Sequence, residues 1–188
     1  MPQVLTVKCK LEVLPEQVEK LETVLSGFAR CCEYVNQNTP VRLTNRTAMQ
    51  ALIYKEARTH SGLSAQMTIH AIRRVCANRK TARDKGRTVE SFAPTSADYD
   101  VRTFTFKEKE WAVTLTMLKG REKFRLIVGN YQRGKLTGQQ PKTATLVKHR
   151  DGGYYLHIQL ESEPPKPQKM NKVLGIDLGR TDIVRFVD

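Results

Sequence analysis

The first part of the chain alternates between apolar and polar side chains. In residues 4–11 every second residue, from Leu5 to Leu11, is apolar, whereas Lys8 and Lys10 occupy the opposite face. This period of two predicts a strand with one buried face. A strand needs hydrogen-bonded neighbours, and no second strand lies nearby in sequence. We therefore expect it to pair with strands much later in the chain, so that the helices in between form an insertion.

Residues 13–87 show the spacing of helices. Pro15 fits the first position of a helix, and apolar residues then recur at intervals of three and four for about six turns. A shorter helix is expected over residues 47–58, with Leu52 pointing inward. Ser64 is a candidate N-cap for a third helix.

After Gly86 the pattern returns to a period of two. The alternating segments are residues 103–107, 111–117, 124–128, 143–149 and 154–160. The last two are joined by Arg150-Asp151-Gly152-Gly153, a sequence typical of a hairpin turn. Strands that follow one another through tight turns predict an antiparallel barrel or curved sheet.

The predicted fold class is therefore α+β, an antiparallel β-barrel interrupted by a helical insertion. The barrel takes residues 1–12 and 88–163, and the helical lobe takes residues 13–87. A Pro-rich linker over residues 164–171 marks a domain boundary. Residues 172–188 then begin a second domain.

Charge suggests the partner. The chain of 188 residues has 32 Lys and Arg against 19 Asp and Glu, which gives a net charge of +13. Such an excess is typical of proteins that bind a polyanion, and nucleic acid fits best. We expect no membrane association, since no apolar run approaches the roughly 20 residues of a membrane span. The N-terminus lacks the layout of a secretory signal, so a cytoplasmic location is expected.

The third helix and its exit concentrate the cations on one side. Only one acid, Asp84, accompanies them, so their mutual repulsion favours a partner with phosphates. An ordinary solvated face is the alternative. The predicted nucleic-acid-binding residues are Arg73, Arg74, Arg79, Lys80, Arg83, Lys85 and Arg87.

A second candidate contact lies in a loop between strands. Tyr131 stands beside Arg133 and Lys135, and an aromatic ring next to cations can stack on a base. The same residues are also common in loops that bind nothing.

The cysteines give no sign of a metal site. None belongs to a Cys-x-x-Cys pair, so we predict reduced core residues and no zinc site. They are Cys9, Cys31, Cys32 and Cys76.

Residues 173–179 form an aliphatic run that contains one carboxylate, Asp177. The run predicts a strand buried on both faces. An ionised Asp is costly in such a strand unless a cation or hydrogen-bond donors compensate its charge. Asp177 is therefore a candidate metal ligand, although an Asp at a strand end that accepts backbone N–H bonds is an alternative.

The order of these features resembles the TnpB family, which comprises transposon-encoded RNA-guided DNA endonucleases related to type V CRISPR effectors. The resemblance includes the basic helix and the acidic-then-Pro linker. It rests on the runs Leu14-Pro15-Glu16-Gln17, Tyr34-Val35-Asn36, Gly153-Tyr154-Tyr155 and Gly175-Ile176-Asp177-Leu178-Gly179.

The resemblance implies that the barrel is a wedge domain and the helical insertion a recognition lobe, with guide RNA and target DNA as partners. Asp177 would be the first of three carboxylates that hold two Mg²⁺ ions in an RNase H-like RuvC domain. The family's other two carboxylates and its zinc ribbon lie further downstream. We therefore expect these 188 residues not to cleave DNA alone, and interpret them as a fragment or a truncated gene product. A nucleoid-associated location in a prokaryote is also implied.

Other interpretations stay open. The missing carboxylates could come from another chain, which would preserve nuclease activity. The run around Asp177 also resembles the first phosphate motif of actin-like and sugar-kinase ATPases. Residues 18–58 could form a helix-turn-helix for double-stranded DNA, although the connection over residues 37–45 exceeds the usual turn of three or four residues.

Overall fold

The computed structural model describes residues 3–162 and the backbone of two short strands, at 175–177 and 185–187. The helices are α1 (Pro15–Gln37), α2 (Arg46–Ser61), α3 (Ala65–Asp84) and α4 (Asn130–Leu136), and Glu108–Glu110 form a 3₁₀ turn. The strands are β1 (Gln3–Glu12), β2 (Ser96–Asp100), β3 (Phe104–Lys107), β4 (Ala112–Thr116), β5 (Arg121–Ile127), β6 (Thr143–Lys148), β7 (Tyr154–Ser162), β8 (Gly175–Asp177) and β9 (Arg185–Val187). The predicted linker over residues 164–171 lies outside the described residues.

Seven strands form one curled antiparallel sheet in the order β2-β6-β7-β1-β5-β4-β3. Strand β1 lies in the middle, where it pairs with β7 along most of its length and with β5 at its C-terminal end. The prediction that the first strand joins later strands, with α1, α2 and α3 inserted between them, is therefore confirmed. Within residues 3–162 the edge strands β2 and β3 do not pair with each other, so the sheet is a half-barrel.

The three long helices and the inner face of the sheet enclose one hydrophobic core. Helix α1 is fixed at its start by Gln17, whose Oε1 accepts from the Leu14 N–H at 3.1 Å and whose Nε2 donates to the Lys123 carbonyl at 3.0 Å. Leu52, predicted to point inward, is 54% exposed. The buried side of α2 instead contains Met49 and other residues one turn apart.

Two elements were not predicted from the sequence. Strand β2 contains two Asp, which strands disfavour, but Ala97 and Tyr99 are buried and neighbouring residues bind both carboxylates. Helix α4 replaces a predicted loop. Its interior Gly134 lowers helix propensity, and the fully buried Leu136 holds it against the core. Tertiary contacts therefore decide both elements.

All four cysteines are buried and free, which agrees with the prediction of core residues. They are Cys9, Cys31, Cys32 and Cys76. Burial raises the pKa of the Cys9 and Cys31 thiols to about 11, so neither is ionised near neutral pH.

Candidate nucleic-acid interface

Helix α3 begins where the sequence predicts. The Ser64 side chain accepts a hydrogen bond from the Met67 N–H at 3.4 Å, which satisfies one free donor of the first turn. Three residues separate α2 from α3, and Gly62 at φ 68° allows the sharp change of direction. One face of α3 then packs into the core.

The opposite face presents cations along the C-terminal half of the helix and its exit. Arg83 Nε lies 3.8 Å from the carboxylate of Asp84, with both side chains 60% exposed. Within residues 3–162 no ion pair involves the other four exposed cations, which are Arg73, Lys80, Lys85 and Arg87. We call this set the α3 surface; its exposed members are Arg73, Lys80, Arg83, Lys85 and Arg87.

Arg74 does not belong to the α3 surface, which corrects its predicted position on the outer face. Its guanidinium binds both carboxylate oxygens of Asp98, at 2.5 and 2.9 Å, and donates to the Ser96 carbonyl at 2.9 Å. It also lies over the Phe28 ring, with Cζ 4.7 Å from the ring centroid. This paired and stacked geometry ties α3 to β2 and α1.

Arg79 also lies inside the protein and is only 5% exposed. Its guanidinium donates to Asn36 Oδ1 at 3.0 Å and to the carbonyls of Asn36 at 2.7 Å and Pro40 at 2.8 Å. Weaker bonds at 3.3 Å reach the carbonyls of Thr39 and Leu43. Arg79 therefore holds the end of α1 and the following connection against α3, with no donor left over for a phosphate.

A cavity of about 260 Å³ opens beside the exit of α3. It combines apolar side chains with four arginines from two separate segments, and one of them, Arg79, is already hydrogen-bonded to protein carbonyls. The arginines that remain available to bind an anion are Arg42, Arg83 and Arg87, and the apolar lining residues are Val41, Ala82 and Val89. The cationic side of α3 thus extends to the connection after α1.

The second predicted contact is rearranged, because its residues lie on α4 and not in a loop. Tyr131 is 57% exposed, and Lys135 is exposed as well. Arg133, however, lies over the Trp111 ring, with Cζ 5.0 Å from the centroid. The Arg133 cation therefore already stacks on an aromatic ring of the protein.

The sequence did not identify a group of rings on the outer face of the sheet. The His149 and Tyr155 rings lie 4.1 Å apart between centroids, and Nε2 of His149 lies 3.4 Å from Nε2 of His157. Cross-strand pairing places Lys10 beside Tyr155 and Lys8 beside His157. The alternation of β1 assigned Lys8 and Lys10 to the polar face, but only the strand register shows that they meet the rings of β7.

The protonation of these groups follows from their surroundings. Partial burial lowers the pKa of His157, and the nearby cation of Lys8 lowers it further. The Gly153 N–H donates to Asp151 at 2.9 Å and lowers the pKa of that carboxyl. The Tyr155 hydroxyl donates to the same carboxylate at 3.1 Å, which raises the pKa of Tyr155.

A buried histidine joins α3 to β2. His70 Nε2 lies 3.3 Å from Asp100 Oδ2, yet it makes no well-aligned hydrogen bond within the described residues. Burial lowers the pKa of His70, and Arg73 adds to this, against the opposing effect of Asp100 and Asp98. His70 is therefore a neutral group that resists protonation in the folded state.

Lowering the pH from 7 to 5 is expected to lower the free energy of unfolding. Because the pKa of His70 is lower in the folded than in the unfolded chain, the unfolded chain binds the proton first as the pH falls through about 6.5. The stability that neutral His70 provides above this pH is therefore lost as the pH falls further to the pKa of His70 in the folded chain. His157, whose pKa is also lowered, acts in the same direction. Urea unfolding at several pH values should show a smaller pH dependence for His70→Asn than for the unchanged chain. If the free energy of unfolding changes equally with pH in both chains, this role for His70 is wrong.

The carboxyl of Asp100 titrates outside the pH range from 7 to 5. Burial acts to raise its pKa, but the Arg102 N–H, His70 and Gln66 together lower it below the ordinary value. Its contribution to stability is therefore lost only under more acidic conditions.

Asp177 lies on β8, whose backbone pairs with β9 so that Asp177 is opposite Arg185. Its side chain lies outside the part that the structure describes, as do residues 178 and 179. The described residues contain no group of three His, Cys, Asp or Glu that could hold a metal ion. The Mg²⁺ site stays a prediction from the resemblance.

Comparison with known proteins adds no family. No protein-family model matches this sequence, and no curated protein matches it either. Within the described residues, no helix is both long and apolar enough to cross a membrane.

Proposed function

We propose that this chain is the nucleic-acid-binding N-terminal part of a TnpB-like RNA-guided DNA endonuclease, with guide RNA and target DNA as its partners. The observation that carries the proposal is the α3 surface, where five exposed cations are accompanied by a single carboxylate. A phosphate backbone neutralises such a row and releases counterions, which favours binding.

The geometry of the α3 surface supports contacts to backbone rather than to bases. Exposed Lys and Arg on long side chains can follow phosphates, but they carry little information about sequence. A protein that leaves sequence recognition to a guide RNA needs this type of contact, because base pairing reads the target. Arg42, which lines the 260 Å³ cavity together with Arg83 and Arg87, extends the same row.

The architecture is consistent with this proposal. A curled antiparallel sheet with three helices inserted after its first strand agrees with a wedge domain and a recognition lobe. Residues 172–188 would begin a RuvC domain, in which Mg²⁺ activates water for phosphodiester cleavage. Of the three carboxylates that the resemblance implies, these residues supply Asp177, so we expect binding without cleavage.

The test neutralises three members of the α3 surface together, as Arg73→Gln, Lys80→Gln and Arg87→Gln. We expect the affinity for a structured RNA and for duplex DNA to fall about a hundredfold near 0.1 M salt, since each lost phosphate contact removes close to one released counterion. The slope of log K against log salt should become shallower by about 2 to 3. Fluorescence anisotropy over a salt series measures both quantities.

A matched control removes three charges that are already paired. Lys20→Gln, Lys107→Gln and Lys123→Gln lower the net charge by the same amount, but these lysines bind Glu122 or Glu110. The control should lose far less affinity. If both triple variants weaken binding equally, net charge alone acts and the α3 surface is not the interface.

The alternative is a helix-turn-helix protein for double-stranded DNA, without nuclease activity. The predicted helix pair over residues 18–58 corresponds to α1 and α2, whose connection is longer than the usual turn of three or four residues. The turn between α2 and α3 has the usual length of three residues. Recognition helices, however, contact bases with their N-terminal residues. In α3 that end faces β2, where Gln66 donates to Asp100 at 2.5 Å. Strong preference for one duplex sequence would support the alternative.

A further inference from the structure

A second candidate surface lies on the outer face of the sheet. It consists of three half-buried rings and two exposed lysines that β1, β7 and the end of β6 bring together. We call it the sheet-face cluster; its residues are Lys8, Lys10, His149, Tyr155 and His157.

The rings are held in place by the hairpin between β6 and β7. His149 N–H donates to the Gly153 carbonyl at 2.9 Å, and Gly152 turns the chain at φ 78°. A Cβ at Gly153 would lie only 3.0 Å from Cε2 of Tyr155, so glycine lets the ring lie close to the turn. The hydroxyl of Tyr155 is fixed by Asp151 at 3.1 Å.

These contacts make a preformed aromatic platform. The ring centroids of His149 and Tyr155 are 4.1 Å apart, and those of His149 and His157 are 5.7 Å apart with nearly perpendicular planes. Because the side chains are fixed by the hairpin, stacking on them costs little side-chain entropy. Aromatic rings on a sheet surface are also how several RNA-binding modules hold unpaired bases.

The charges beside the platform select an anionic ligand. Lys10 Nζ lies 5.9 Å from the Tyr155 centroid, and neither Lys8 nor Lys10 makes an ion pair within residues 3–162. A ligand with flat rings and regularly spaced phosphates matches both features. Bases within a duplex are stacked on each other and cannot reach the platform, whereas unpaired bases can.

We propose that the sheet-face cluster binds a single-stranded nucleic-acid segment, with bases stacked on Tyr155 and His149 and phosphates held by Lys8 and Lys10. This surface is separate from the α3 surface and does not depend on it. It adds a preference for unpaired bases to a chain whose α3 contacts do not distinguish single strands from duplexes.

The experiment uses the full chain and four labelled probes, a U12 RNA, a dT12 DNA, an abasic 12-mer with the same phosphates, and a 12-base-pair duplex. Tyr155→Ala should weaken binding of U12 and dT12 about tenfold, in line with the loss of one stacked base. It should leave the abasic strand and the duplex within twofold. The two single strands show whether the cluster takes RNA, DNA or both.

Two control variants separate stacking from other effects. Tyr155→Phe keeps the ring but removes the bond to Asp151, and should bind within twofold of the unchanged chain. Tyr54→Ala removes a half-buried ring on α2, away from both surfaces, and should also leave binding unchanged. His149→Ala tests the second ring if Tyr155→Ala does not fold, and should weaken base-containing single strands selectively.

Several results would overturn the proposal. One is unchanged U12 and dT12 binding by folded Tyr155→Ala and His149→Ala, and another is an equal loss for the abasic strand. Competition by polyglutamate as effective as by dT12 would show that the face binds acidic chains through charge alone. The α3 triple variant should weaken all four probes, so its failure and the failure of Tyr155→Ala are distinguishable.

Discussion

Arg79→Met is expected to lower the free energy of unfolding by about 3 kcal/mol. The guanidinium donates to four carbonyl groups and one amide oxygen between Asn36 and Leu43. Methionine fills similar space but donates nothing, so these oxygens lose their partners in a region that is largely shielded from water. A buried acceptor that is left without a donor costs about 1 to 3 kcal/mol. Urea denaturation of the full chain measures the difference.

Arg83→Met supplies the matched control on the same helix. The Arg83 side chain is 60% exposed, and within residues 3–162 its only ion pair is with Asp84, at 3.8 Å, so its loss should change stability by less than about 0.5 kcal/mol. In a nucleic-acid binding assay at a temperature where both variants are folded, Arg83→Met should weaken binding more than Arg79→Met, because only Arg83 belongs to the α3 surface. A destabilisation by Arg79→Met as small as that by Arg83→Met would show that the buried bonds contribute little.

Phe28→Ala is expected to cost about 4 kcal/mol of unfolding free energy. Phe28 is fully buried in the core, and the Arg74 guanidinium lies over its ring at 4.7 Å. Truncation removes the transfer free energy of the ring and leaves a cavity that the packed helices fill only in part. It also removes the stacking partner of Arg74. Since domains of this size are stable by roughly 5–15 kcal/mol, the variant should lose at least about a quarter of its stability.

Val18→Ala on the same helix is the control for this prediction. Val18 is 38% exposed, so its truncation should change stability by no more than about 0.5 kcal/mol. Phe28→Leu should fall between the two variants, because it keeps most of the apolar volume and loses only the ring. If Phe28→Ala unfolds at the same urea concentration as Val18→Ala, then α1 does not anchor the core at this position.

Two of the arginines on α3, Arg74 and Arg79, show that tertiary contacts decide whether a basic side chain is free to bind a partner. Arg74 and Arg79 fall within the same basic stretch as Arg73 and Lys80, and of these four only Arg79 continues the spacing of the buried residues Val75 and Cys76. Helical spacing shows which residues share a face, but it does not show how far the neighbouring elements extend around the helix. Strand β2 reaches Arg74 and the end of α1 reaches Arg79, and both cations are then used to hold the fold together.

The sequence by itself determined the elements with a strong period. Strand β1, helix α1, the cap of α3 at Ser64 and the hairpin at Gly152 follow from local patterns that need no distant contact. The pairing of β1 with later strands could also be inferred, because an unpaired strand is unstable. The excess of cations predicts a polyanionic partner by the same kind of argument.

Only the tertiary structure decided which side chains are exposed and unpaired, and so available to the predicted partner. Strand register, not composition, places Tyr155 beside Lys10 and His157 beside Lys8. Arg79 is excluded from the proposed interface by its burial, although its charge suits a phosphate partner. The physical reason is that the spacing of apolar residues shows which face of a segment packs against the core. Which polar side chains stay exposed and unpaired depends instead on contacts between segments that are far apart in sequence.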